Sequence, residues 1–446
     1  MRNHLLTALL AILVAFPARG AEAPPKKEKK KKTFEFHGEL LTLGVWRNDT
    51  DFDATVPYYD ADGQSAGALL TFAKPRVFYR PDDKVTLFYE GELGMNFWGR
   101  NNPDQWYPAA DDFLIYKHRE IWTEVAIKHW TLKAGYQRLQ DPTDLFMSHW
   151  MGAGVLNYAR KGLTFRVFVG QLPDSTYEGI DVRENNFVHD SFTYGFDFGI
   201  DLLPDERLKV RVGSQALRDA RVVDRTLSLT NSFVGADYKD GAFCAHLYGV
   251  IQAGAWAASG VGGVDQDVLA WAVTARGGMK TKYAAFGAGA FVLSGDDDHH
   301  GNSHQGAFFY SGKNRSPTMM LTEDEVRDRY DNYDEQMSGS WGSFFLNRAG
   351  LAVVDAWVEG RVSDRLTPKF VVGAGFTLNP HNSMDSILAG IEADLILTVK
   401  LSKHAAAILV AQLFLPGQGS AAHVNAYDME AIGQVHGFQA GLEVKF

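Results

Sequence analysis

Charged residues in this 446-residue chain recur two positions apart. Lys74 with Arg76, Glu90 with Glu92, Arg207 with Lys209 and Arg211, and Glu392 with Asp394 are such sets; Lys133 and Arg166 stand in similar surroundings. In an extended chain a spacing of two places side chains on one face. A wall of Arg and Lys draws and orients anionic solutes, and a facing wall of carboxylates adds a transverse field across whatever lies between them. The same residues have a plainer use. Opposite charges on neighbouring strands pair and hold a wall together.

Gly295 to His304 (GDDDHHGNSH) is a second cluster, with Asp296, Asp297, Asp298, His299, His300 and His304. Carboxylates with imidazoles are ligands for calcium or a transition metal. The spacing matches neither a calcium loop nor a zinc-protease helix, so a solvated acidic loop is the alternative. Further on, Thr322 and Glu325 form a capping box that predicts a short helix over 322–330, either across a pore mouth or on its rim. No Gly-x-Ser-x-Gly elbow, phosphate loop or His-Glu-x-x-His motif occurs, and paired carboxylates without a cleft do not make a glycosidase. The sequence therefore assigns no catalytic residue, no enzymatic activity and no cofactor. A lone Cys244 excludes an internal disulfide and any cysteine-rich metal or haem motif.

The elements that must position these charges are strands. In Ser191–Leu202 the residues Phe192, Tyr194, Phe196, Phe198, Ile200 and Leu202 face one way, while Ser191, Thr193, Gly195, Asp197, Gly199 and Asp201 face the other. Leu208, Val210 and Val212 oppose Arg207, Lys209, Arg211 and Gln215 in the same manner, and Ile391, Ala393, Leu395, Leu397 and Val399 oppose Glu392, Asp394, Thr398 and Lys400. About eighteen such strands are predicted, from 34–46 to 434–446, joined alternately by tight turns and by longer polar loops such as 139–151 and 295–345. An even strand count with one short-turn rim and one long-loop rim is the layout of an all-β, antiparallel up-and-down barrel of the bacterial outer membrane. Arg or Lys on the lipid face near mid-membrane would cost about 2 to 4 kcal/mol, so the charged face is the lumen. Trp46, Tyr79, Trp98, Tyr136 and Tyr158 are the expected interfacial girdle.

Compartment follows from the two ends. Residues 1–20 read as a signal peptide, with Arg2, an apolar run from Leu5 to Phe16 and small residues before 21. Residues 21–33 form a Lys-rich periplasmic tail, and 34–446 the barrel. The first 32 residues carry a net +6 (Arg2, Arg19 and six lysines against Glu22 and Glu28), which leaves about −16 for the rest of a chain whose total is −10. Nucleic acid is excluded as a partner by that charge. The final strand, Gln434–Phe446, alternates down to a terminal Phe446, an ending by which outer-membrane barrels resemble one another and through which their assembly machinery is expected to engage them. Outer-membrane lipids and a small polar solute or a polysaccharide are the other expected partners.

Taken with the strand count, the segment Thr131–Gln140 (TLKAGYQRLQ) and Phe291–Asp298 (FVLSGDDD) before a long loop, the chain resembles the alginate export porin family. The resemblance implies an eighteen-stranded barrel carrying an anionic polysaccharide through a basic lumen, with Lys133, Arg166, Lys209 and Arg211 at the matching positions. A general porin for other solutes, an outer-membrane enzyme, and a sheath around a secretion or electron-transfer partner remain open.

Overall fold

The computed structural model describes residues 33–47, 66–95, 115–172, 191–203, 207–219, 225–258, 265–296, 304–306, 308, 316, 318, 350–379, 387–417 and 434–446. The signal peptide, nearly all of the Lys-rich tail, Trp98, Asp297, Asp298, His299 and the expected helix over 322–330 lie outside these residues.

The first strands are β1 (Thr33–Arg47), β2 (Ala66–Arg80), β3 (Val85–Met95), β4 (Ile115–Ile127), β5 (Trp130–Gln140) and β6 (Ser148–Arg160). Then follow β7 (Leu163–Gln171), β8 (Phe192–Asp201), β9 (Leu208–Asp219), β10 (Arg225–Asp240), β11 (Phe243–Ala258), β12 (Gln266–Lys280) and β13 (Ala284–Leu293). The chain ends with a two-residue β14 (His304–Gln305), β15 (Leu351–Gly360), β16 (Leu366–Thr377), β17 (Leu388–Lys400), β18 (Ala405–Pro416) and β19 (Val435–Lys445). Eighteen of them pair antiparallel with their sequence neighbours, and β1 pairs with β19 from Glu39–Lys445 to Arg47–Gly437. The sheet is thus closed into a barrel and has no free edge. β14 was not foreseen; it lies within the long 295–345 connection and runs parallel to β12, with Asp267 opposite His304.

Alternation sets the two faces as the sequence requires. Phe192, Tyr194, Phe196 and Ile200 are exposed on the outside of β8, whereas Thr193 and Asp197 are buried inside. Ile391 and Leu395 on β17 are exposed, while Glu392 and Asp394 beside them are buried. A continuous apolar exterior over a charged interior has only one stable solvent, a lipid bilayer, so the barrel is a membrane-spanning one. Trp46 is exposed, as is Trp130, whose ring lies 4.7 Å from that of Tyr158.

The C-terminus closes the cylinder. Gly38 and Phe446 exchange two backbone hydrogen bonds of 2.8 and 3.0 Å, and the Phe446 ring lies over Gly38, where any Cβ would collide with it. The same device recurs inside. Phe168 covers Gly195, Phe233 covers Gly213 and Tyr248 covers Gly235, so these rings lie flat on the wall instead of projecting into the lumen.

Candidate functional site: the barrel lumen

The connection between β5 and β6 was expected as a polar loop over 139–151 outside the barrel. Instead the strands run to Gln140 and from Ser148, and the seven residues between them fold inward. Leu145, Phe146 and Met147 are 1 to 2% exposed. Their apolar side chains require an apolar surface, and they find it on the inner wall: Phe146 packs on Phe233 with ring centroids 5.9 Å apart, and the Gln215 amide meets Met147 Sδ at 3.2 Å. Asp141 folds the loop. Its Oδ1 accepts from the Thr143 N–H at 2.7 Å and from the Thr143 hydroxyl, and its Oδ2 accepts from the N–H groups of Phe146 and Met147 at 3.1 and 2.8 Å. Burial pushes the Asp141 carboxyl up to about 6, against the pull of those hydrogen bonds.

The loop bridges from β5 and β6 to β9 and β10 and borders an open pocket of about 350 Å³ on the lumen wall. Gln140, Asp141, Pro142 and Asp144 line it from the β5–β6 connection, and Asn157, Tyr158, Ala159, Thr164, Phe165, Arg166, Asp197, Lys209 and Arg211 from the strands. A two-residue turn, Lys161–Gly162 with φ of 46° and 78°, pins the β6–β7 register and so fixes the height of Arg166. Arg166 donates to Asp197 and, through Nη1, to the Gln140 carbonyl at 3.0 Å. Lys209 stands 3.9 Å from Asp201, and Arg211 Nε stands 3.2 Å from Asp237. An arginine has five donors, so a cation held by a single carboxylate can still bind a passing anion.

A different network lines β2 to β5. Glu92, fully buried, accepts from Arg119 Nη2 and Nε at 2.9 and 3.1 Å and pairs with Lys74 at 3.2 Å. Arg76 pairs with Glu90, and Lys133 stands 3.8 Å from Glu120 with its ammonium 4.0 Å from the Trp122 ring centroid. Across the barrel, Arg276 reaches over Gly289 on the intervening strand to hold Asp355 bidentately at 3.0 and 2.8 Å, and Ser316 of the long connection donates to the same carboxylate at 2.8 Å. Phe308, also from that connection, is buried in the inner apolar cluster.

The expected inward residues Lys74, Arg76, Lys133, Arg166, Lys209, Arg211, Glu90, Glu92 and Asp394 all line the interior. Arg207, just before β9, is half-exposed and stands 3.6 Å from Asp240. Two uses of these charges were expected, a field across the lumen and pairing along its wall, and the described contacts are those of pairing. Asp197, Asp201 and Asp237 stand among the cations of β7 to β10, because side chains on neighbouring strands are about 5 Å apart and opposite charges are drawn together at that range. Arg119, Arg276, Asp141 and Asp144 were missed. Arg119 occupies a bulge where the β3–β4 register slips between Glu90 and Gly91, which breaks simple alternation. Of the expected metal-ligand cluster only Asp296 and His304 are among the described residues, and the described residues contain no group of three or more potential metal ligands.

A closed eighteen-strand barrel with a lipid-facing belt, a charged lumen and an inward loop defines the chain as an outer-membrane β-barrel of porin fold. No protein-family model and no curated protein matches the sequence. Solved structures do match. A BenF-like porin from Pseudomonas fluorescens Pf-5 is 11% identical with a TM-score of 0.58, covering 93% of this chain and 98% of that one. OccK9 (OpdG) from Pseudomonas aeruginosa is 12% identical with a TM-score of 0.57, over 93% and 98% of the two chains. OccK2 (OpdF) from the same organism, solved with glucuronate, is 11% identical with a TM-score of 0.56, over 93% and 96%. This likeness is one of fold. None of these three is named for alginate export, and the described lumen is not the basic tube that the resemblance implied, since Lys133, Arg166, Lys209 and Arg211 each have a carboxylate beside them.

Proposed function

We propose that the chain is a porin through which small polar solutes bearing an anionic group diffuse passively across the outer membrane. The observation that carries this reading is the open pocket on the lumen wall that Arg166, Lys209 and Arg211 line together. A volume of about 350 Å³ suits a solute of monosaccharide size rather than a polymer in transit. The inward loop narrows the path further, and the glucuronate bound to OccK2 is a molecule of the expected size and charge. Entry is driven by concentration; the wall supplies selection by charge and hydrogen bonding.

Flux into proteoliposomes tests this. Radiolabelled glucuronate should equilibrate quickly through the purified chain, and an alginate oligomer of many residues should not. Equal flux of the two, or none of glucuronate, would overturn the reading.

A further inference from the structure

Beyond solute passage, we propose that the short-turn rim around β4 to β7 carries a binding site for an anionic phospholipid of the adjoining leaflet, one with a phosphodiester and no amine, such as phosphatidylglycerol. In barrels of this layout that leaflet is the periplasmic one. Two neighbouring turns build the site. Lys128 and His129 join β4 to β5, and Lys161 with Gly162 joins β6 to β7 directly after Arg160. The Ala159 N–H donates to the His129 carbonyl at 2.9 Å, which ties the two turns together and brings Lys128, Arg160 and Lys161 to one stretch of rim. All three cations are exposed, and among the described residues none has an ion-pair partner. Several cations elsewhere on the rim are matched: Arg207 stands 3.6 Å from Asp240, Arg361 2.8 Å from Asp364 and Lys445 3.1 Å from Glu443. The Asp201 carboxylate beside Gly162 is engaged with Lys209 at 3.9 Å. A phosphate among the three exposed cations offsets charge that the protein itself leaves uncompensated.

A second observation points to a lipid. Ile127 and Trp130 are 61% and 38% exposed on the outer face, and the register sets Tyr158 opposite Trp130, with the ring centroids 4.7 Å apart. Arg160 falls two positions beyond Tyr158 and so shares its face. Leu132, also exposed, continues the apolar column toward mid-membrane. Such a column matches a phospholipid at both ends: the indole and phenol sit at the level of the glycerol, the acyl chains run along Leu132, and Lys and Arg snorkel to the phosphate. A soluble anionic polymer such as peptidoglycan would engage the cations alone. The unbroken join between cations and lipid-facing side chains favours the lipid.

Native mass spectrometry of the purified chain, released from micelles holding equal phosphatidylglycerol and phosphatidylethanolamine, tests the proposal. Phosphatidylglycerol should be retained at least about fivefold over phosphatidylethanolamine, the preference that a single engaged cation provides. Joint replacement by Lys128→Gln, Arg160→Gln and Lys161→Gln should remove that preference, whereas Lys128→Arg with Lys161→Arg should keep it. Lys239→Gln with Lys280→Gln, at other turns of the same rim, should leave it intact. No preference in the native chain, or one that survives the triple replacement, overturns the site. Equal loss in the Lys239→Gln, Lys280→Gln protein overturns it as well, since the effect would then belong to the rim charge as a whole. Co-sedimentation with peptidoglycan sacculi that depends on the three cations, without lipid selectivity, would assign the patch to the polymer instead.

Discussion

Two sectors of the same lumen use the same alphabet to opposite ends. On β2 to β4, Lys74 and Arg119 converge on one carboxylate, Glu92, that has no solvent contact. On β7 to β10 each cation has its own carboxylate, the cations are 21 to 31% exposed, and two of the three contacts are 3.2 Å or longer. The first arrangement is saturated, so it fastens three strands together. The second has donors to spare, and a cavity in front of them. What separates fastening from binding is therefore not which residues carry charge but how many partners each has and whether a space is left beside them.

The largest effect that sharpens this contrast lies in the saturated sector. Glu92→Ala removes the buried carboxylate on which Lys74 and Arg119 converge, and should lower folding stability by about 3 to 5 kcal/mol. The midpoint of urea unfolding in lipid vesicles measures it, and ion selectivity should stay near that of the unaltered chain.

Next comes the inward β5–β6 loop. Because folding raises the Asp141 pKa from 3.8 to about 6, its charged form is the disfavoured one inside the loop. The cost is absent below about pH 4, accumulates as pH rises, and is complete above about pH 6, at about 3 kcal/mol. Protonation also removes one negative charge from a cavity that Asp144, Asp197, Arg166, Lys209 and Arg211 otherwise balance. Anion preference, read from reversal potentials in a salt gradient, should therefore grow as pH falls from 7 to 5. Asp141→Asn should abolish that step.

The smallest effect on stability belongs to the open sector. Arg211→Gln should cost less than about 1 kcal/mol, as partly solvated ion pairs do. It should nevertheless lower the anion-to-cation permeability ratio about twofold or more, since a focused lumen field depends on few charges. A loss of stability as large as that of Glu92→Ala would erase the distinction between the sectors.

Much of the fold was legible because a barrel repeats one rule. The period-two alternation in Ser191–Leu202 gave the inner and outer face of β8 residue by residue, and the tight turns gave the strand order. What escaped is non-repetitive. The run Leu145–Phe146–Met147 in an expected loop was the available signal for an inward fold, since three bulky apolar residues do not rest in water. The Arg276–Asp355 pair was hidden because it spans a strand at Gly289, beyond the reach of nearest-neighbour reasoning. Asp197 and Asp201 were placed on the inner face from the sequence, yet their consequence for a basic wall depends on pairing geometry that only the register supplies.

Planar-bilayer recording of the purified chain tests the central claim most directly, namely that this lumen conducts and selects by the cations of β7 to β9. The account predicts stable ohmic currents with a reversal potential favouring anions, shifted toward zero when Arg166, Lys209 and Arg211 are all replaced by glutamine. A silent bilayer, or a reversal potential that the triple replacement leaves unchanged, would contradict it.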